Sequence, residues 1–112
     1  MSSLTQQKCQ PCHGNASAVT KEEMSELKSQ VPNWEIVETG GVPQLKRQFK
    51  FDDFKGALDF TDRVGQAAEE EGHHPEIVTE YGATTVKWWT HAISGLHKND
   101  FIMAAKTEEL AS

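Results

Sequence analysis

Four of the five histidines of this 112-residue chain fall between residues 73 and 97, and two of them are adjacent in the run Glu69-x-x-x-His73-His74-Pro75. Imidazole titrates near neutrality, so two or three imidazoles around a small pocket suit a reaction that takes one proton off a substrate and delivers another. His91 is the third candidate. Glu76 to Tyr81 and Thr84 to His91 are rich in β-branched and aromatic residues and flank Gly82-Ala83, the pattern of a β-hairpin. With Gly82-Ala83 as its two-residue loop, Ile77 falls opposite Trp88 and Thr79 opposite Val86 on an apolar face. The other face then sets Glu76 opposite Trp89 and His74 opposite His91, with His73 just outside the pair. Pro75 cannot donate to a ladder, so it fits as the first residue of a strand, bending the backbone to let His73 and His74 look into one cavity. At a strand end beside a loop, each of the three histidines should tolerate replacement within about 1 kcal/mol of stability.

Other chemistry competes for the same side chains. Three histidines with Glu69 could ligate zinc, but no His-x-His or His-x-x-x-His pair fixes two ligands on one element. Histidine at a strand start can also be plain polar surface. Cys9-Gln10-Pro11-Cys12-His13 has the Cys-x-x-Cys-His form of covalent haem attachment, which would require export and a fold wrapped around the haem; half a zinc site and simple surface thiols are the other readings. Trp34, Trp88 and Trp89 could stack a flat heterocycle. Trp34 and Trp88 fall on apolar faces and read as core, whereas Trp89 shares the face of His91 and is the better candidate. His97 stands in the polar run Gly95 to Asp100, which reads as a solvated loop.

The elements that must hold these residues are legible as periodicity. Thr20-Lys21-Glu22-Glu23 has the Thr-x-x-Glu form of a capping box, and Met24, Leu27 and Val31 recur at helical spacing until Pro32. Trp34 to Glu38, Gly40-Gly41 and Gln44 to Phe51 read as a hairpin whose second strand carries Leu45, Phe49 and Phe51 on one parity, with Arg47 the misfit among them. From Asp52 as N-cap, the positions Phe54, Ala57, Leu58, Thr61, Val64 and Ala68 trace an amphipathic helix ending at Gly72. The second hairpin follows. Asp100 can then cap a C-terminal helix carrying Phe101, Ile102 and Ala105. The order α-β-β-α-β-β-α predicts an α+β fold, a four-stranded antiparallel sheet with helices packed on one face.

Composition narrows the function classes. Eleven Lys and Arg against 17 Asp and Glu leave a net charge of −6, which offers nucleic acid and anionic membrane no overall attraction. Apolar residues make up 37%, and no stretch approaches the roughly 20 apolar residues of a membrane helix. Residues 1–18 are polar and aperiodic and read as a flexible tail, leaving 19–112 as one domain. Met1 to Lys8 lacks the continuous apolar segment of a signal peptide, so the expected location is the cytoplasm, with Cys9 and Cys12 as thiols.

The pattern Glu69-x3-His73-His74-Pro75-x5-Tyr81-x9-His91-x8-Asp100 resembles the signature of the pterin-4a-carbinolamine dehydratases. The resemblance extends to Trp34, to Phe51-Asp52-Asp53-Phe54-Lys55, and to Thr90-His91 with Gly95-Leu96 and Asn99-Asp100. The tail and Trp88-Trp89 look most like the bacterial branch that accompanies phenylalanine hydroxylase. What this implies is a cofactor-free, metal-free dehydratase, a homodimer or homotetramer, acting on the 4a-hydroxytetrahydropterin left by an aromatic amino acid hydroxylase and yielding quinonoid dihydropterin and water. By the same resemblance His73 and His91 are the acid/base pair and His74 mainly holds the pterin. Glu69 and Asp100 match motif positions of orientation and structure; Trp89 is set on the substrate side by the face it shares with His91, not by the motif. A second reading of this fold is a protein-interaction module, a transcriptional coactivator or an assembly factor; the histidine motif decays in such members and is whole here.

Overall fold

The computed structural model describes residues 20–90, 93 and 95–111. Helix α1 (Lys21–Ser29), strands β1 (Glu35–Thr39) and β2 (Val42–Lys50), helix α2 (Phe54–Glu71), strands β3 (Glu76–Glu80) and β4 (Ala83–Trp88) and helix α3 (Lys98–Ala111) follow in that order. The strands form one antiparallel sheet in the order β1-β2-β4-β3, with the helices on one face, as the periodicity predicts. Residues 1–18, with Cys9, Cys12 and His13, lie outside the described residues. Among those described, no helix is long and apolar enough to cross a membrane.

The capping box at Thr20 forms in both directions. The Thr20 hydroxyl accepts from the Glu23 amide at 3.1 Å, and the Glu23 carboxylate accepts from the Thr20 amide at 3.0 Å. These bonds hold the exposed Glu23 carboxyl below the usual glutamate value, the backbone bond contributing most. A carboxyl lowered in this way stabilises the fold at neutral pH, and its contribution fades as pH drops through the glutamate range. Acidification to about pH 3 should therefore fray the first turn of α1. Hydrogen exchange at the Glu23 amide measures this, and unchanged protection would show that the box does not hold the helix end.

Helix α2 is capped one residue later than expected. Asp53, not Asp52, takes the Gly56 amide at 2.8 Å. Its buried stripe is Ala57, Phe60, Val64 and Ala68, so the expectation for Phe54 and Leu58 is overturned: they are 45% and 50% exposed. The helix is turned toward Phe60, whose ring lies 4.7 Å from that of Phe49 and 5.3 Å from that of Phe51. Aromatic packing from β2 therefore selects which flank of the stripe is buried. Trp34, Leu45, Val86, Trp88, Leu96 and Phe101 complete the centre of the core. Arg47, the charged misfit on this face, lays its guanidinium 4.4 Å from the Phe49 ring centroid and pairs with Glu108 of α3.

The second hairpin has a different register from the one expected. Glu80 pairs with Ala83, Thr79 with Thr84, Ile77 with Val86 and Glu76 with Lys87, so the loop is Tyr81-Gly82. Gly82 has φ +76°, and the Phe51 amide donates to its carbonyl at 2.8 Å. That contact, with the left-handed conformation only glycine adopts freely, fixes the loop position. A slip of two keeps every side chain on its predicted face while changing every partner.

Candidate active site

The slipped register dissolves the expected pair of Glu76 with Trp89, and the expected pair of His74 with His91 falls outside the described residues. The β3–β4 ladder starts at Glu76 and Lys87, and the Lys87 ammonium lies 3.7 Å from the Glu76 carboxylate. His91 lies outside the described residues. The remaining motif residues gather where α2 hands over to β3. Gly72 ends α2 in the left-handed conformation at φ 65°, and the next amide, that of His73, returns to the Ala68 carbonyl at 3.2 Å. This turn sends the two adjacent imidazoles to different partners.

His73 goes inward, contrary to the expectation of a surface group at a strand end. It is 8% exposed, and its ring stacks on Trp88 with centroids 5.7 Å apart and planes at 13°. Its Nε2 lies 2.6 Å from Oδ1 of Asp100, which is wholly buried. The other carboxylate oxygen, Oδ2, accepts from the Thr90 hydroxyl at 2.8 Å and from the His97 amide at 2.9 Å. Asp100 is thus surrounded by donors, which is how a buried carboxylate is tolerated. Trp88, read from the sequence only as core, is both core and the platform for His73.

Asp100 is not the N-cap expected of it. Helix α3 begins at Lys98, which puts Asp100 in its first turn. His97 precedes the helix, and its Nδ1 accepts from the Asn99 amide at 3.1 Å while its own amide donates to Asp100. Histidine thus caps the helix from the usual place of serine or threonine, its ring taking the second helical amide while the Asp100 carboxylate at the third position takes the His97 amide. The supposed solvated loop is therefore a helix start. The spacing His97-x-x-Asp100 was the available signal for it. Thr90, which the resemblance touches beside His91 without giving it a role, is 1% exposed.

His74 goes outward. Its Nε2 lies 2.7 Å from Oε1 of Glu69, in the last turn of α2, and the two side chains are 59% and 79% exposed. Trp89 is half-buried against the edge of the core. An imidazole held at one nitrogen by a buried carboxylate, next to an exposed imidazole-carboxylate pair, can move a proton and hold a polar ligand nearby. For zinc to gather three histidines, His73 would have to leave Asp100. Among the described residues no group of three His, Cys, Asp or Glu side chains is disposed to hold a metal ion.

Comparison with known proteins agrees with this geometry. The family model described as Pterin 4 alpha carbinolamine dehydratase matches residues 17–110. The chain is 56% identical over 110 residues to a protein of Nitrosococcus oceani, covering 98% of this chain and 97% of that one. It is 51% identical over 110 residues to one of Microcystis aeruginosa, covering 98% and 95%. Both carry the provisional name pterin-4-alpha-carbinolamine dehydratase. Among solved structures, a transcriptional coactivator/pterin dehydratase from Brucella melitensis superposes with a TM-score of 0.78 at 32% identity, over 86% of this chain and 100% of that one. A pterin dehydratase-like protein identified as a RuBisCO assembly factor in the alpha-carboxysome shares the fold, with a TM-score of 0.61 at 22% identity, over 71% of this chain and 90% of that one. A match of this length, on a fold that buries the motif histidine against the motif aspartate, places the chain in the pterin-4-alpha-carbinolamine dehydratase family.

Proposed function

We infer that this protein dehydrates a 4a-hydroxytetrahydropterin to the quinonoid dihydropterin, and the observation that carries the reading is the buried His73–Asp100 pair at 2.6 Å. The reaction breaks the C4a–O bond and the N5–H bond. The hydroxyl takes a proton and leaves as water, the N5 lone pair becomes the second bond between C4a and N5, and the N5–H electrons remain on nitrogen as its lone pair. One group must give a proton and one must take it. A carboxylate can only accept hydrogen bonds, so Asp100 keeps the hydrogen of His73 on Nε2 and leaves Nδ1 with a lone pair. His73 in this tautomer suits the acceptor of the N5 proton, and His91 suits the donor to the hydroxyl. His74, exposed beside Glu69, holds the pterin with Glu69 and Trp89. The protein recycles the pterin of an aromatic amino acid hydroxylase, with phenylalanine hydroxylase as partner, in the reducing cytoplasm. Residues 19–112 form the working domain, and this reading takes no acid/base group for the site from the tail.

The N5 lone pair already pushes the hydroxyl out, so no Lewis acid is needed. Chelator-treated protein should speed conversion of hydroxylase-generated carbinolamine as well as untreated protein does. Loss of activity with chelator and its return with zinc would replace the acid/base reading by a metal one. Absence of acceleration in both samples would leave the fold with the role of an interaction module.

Self-association belongs to the same reading. Leu45 and Phe49 are buried within one chain and Phe51 packs against the core. Phe54 and Leu58 remain exposed, one turn apart on α2. Exposed aromatic and aliphatic neighbours of this kind mark contact surfaces. A sedimentation mass of two or four times 12.5 kDa is expected, reduced by Leu58→Glu; a wild-type mass equal to the single chain would contradict it.

A further inference from the structure

We propose that Thr90 is a positioning residue for the acid/base histidine, an inference that rests on the dehydratase reading above. Its hydroxyl donates to Oδ2 of Asp100 at 2.8 Å. The His97 amide donates to the same oxygen at 2.9 Å, and the opposite oxygen meets His73 at 2.6 Å. A terminal carboxylate torsion is broad and has no preferred well of its own. The two donors on Oδ2 therefore set the plane of the carboxylate, and so the direction in which Oδ1 points.

One donor of that pair is a backbone amide tied to the start of α3, and the other is a side chain on the opposite wall. Thr90 is anchored from its own backbone: its amide donates to the Gly95 carbonyl at 2.8 Å, and the Gly95 amide returns to the Thr90 carbonyl at 3.3 Å. The hydroxyl is thus delivered from a closed turn rather than from a free strand end. With Thr90 at 1% and Asp100 at 0% exposure, bulk water does not compete for either partner. Removing the hydroxyl leaves Oδ2 with the amide alone and lets the carboxylate turn about its last bond. His73 Nε2 then loses its fixed acceptor, and the imidazole is free to place its hydrogen on either nitrogen. Thr90 touches no substrate. It acts through Asp100, and its signature is the tautomer of His73.

The experiment compares wild type, Thr90→Val, Thr90→Ser and Thr90→Ala by steady-state kinetics on hydroxylase-generated carbinolamine and by nitrogen-15 NMR of the imidazoles. The expected wild-type spectrum has His73 protonated at Nε2. Valine, which keeps the shape and loses the donor, should lower kcat about tenfold, the lower end of what an orienting partner contributes, with KM unchanged and the His73 tautomer mixed. Serine keeps the hydroxyl and should restore both kcat and the single tautomer. If valine does not fold, alanine carries the same comparison, because it places no methyl group against the carboxylate. A folded valine or alanine variant with wild-type kcat and an unchanged His73 tautomer would overturn the proposal, as would a serine variant as impaired as valine. The NMR arm needs no substrate: should wild type fail to turn over carbinolamine, the dehydratase reading falls, and the tautomer series still tests what Thr90 holds.

Discussion

Replacing His73 by glutamine should lower kcat by roughly 10²–10⁴, the usual worth of a general acid or base, in a protein that remains folded. Glutamine is the informative choice because His73 is a buried partner of Asp100 at 2.6 Å. The glutamine amide can still donate a hydrogen bond to the carboxylate and can still lie against Trp88, but it has no nitrogen that exchanges a proton at neutral pH. KM should stay near the wild-type value, because His74 and Glu69, not His73, hold the ligand in this account. His74→Ala should behave in the reverse sense, raising KM with kcat little changed. Rates measured under saturating and limiting substrate separate the two. A folded His73→Gln protein with full kcat would remove His73 from the chemistry.

The largest expected effect on stability belongs to Asp100→Ala. Three donors converge on this carboxylate, from His73, Thr90 and the His97 amide, and the site is closed to solvent. Alanine leaves all three without an acceptor. Removing one side of a buried charged hydrogen-bonded set destabilises by about 3–5 kcal/mol, a large share of the roughly 5–15 kcal/mol that holds an ordinary domain together. The first turn of α3 should loosen at the same time, since Asp100 is the acceptor for the amide of its capping residue, His97. Urea denaturation measures the loss as a shift in midpoint at constant slope. A midpoint within experimental scatter of wild type would mean that the buried network contributes no net stability.

Local chemistry was legible wherever neighbouring residues alone determine it. The Thr20-x-x-Glu23 box, the Gly40-Gly41 loop and the end of α2 at Gly72 all form as their residue types dictate, because each depends on contacts within one turn of chain. The polar and apolar faces of the sheet followed from parity, whereas the strand order β1-β2-β4-β3 came only with the structure. What parity cannot read is a slip of two. The loop at Tyr81-Gly82 is set by a bond from Phe51, at the end of a different strand, and no pattern within the hairpin contains it. The same limit explains Phe60, buried because Phe49 and Phe51 lie across from it.

The candidate site divides in the same way. The types and spacing of Glu69, His73, His74 and Asp100 were visible, and the pairing of His74 with Glu69 follows from five residues of local chain. The burial of His73 was not visible, since it depends on Trp88 lying beneath the ring and on α3 bringing Asp100 across from residues far along the chain. The expectation that replacing His73 would leave stability within about 1 kcal/mol rested on a surface position at a strand end, and the buried ring bonded to Asp100 removes that premise. Histidine as a helix cap was missed because its short acceptor, Nδ1, is seldom counted with serine, threonine and aspartate.

The most direct test is the rate at which hydroxylase-generated 4a-hydroxytetrahydropterin becomes quinonoid dihydropterin, followed by absorbance in rapid mixing with and without the protein. The dehydration rate should rise in proportion to protein concentration, and the increase should be lost with His73→Gln in a protein that still folds. Superimposable traces with and without wild-type protein, or an equal acceleration by the folded His73→Gln variant, would contradict it.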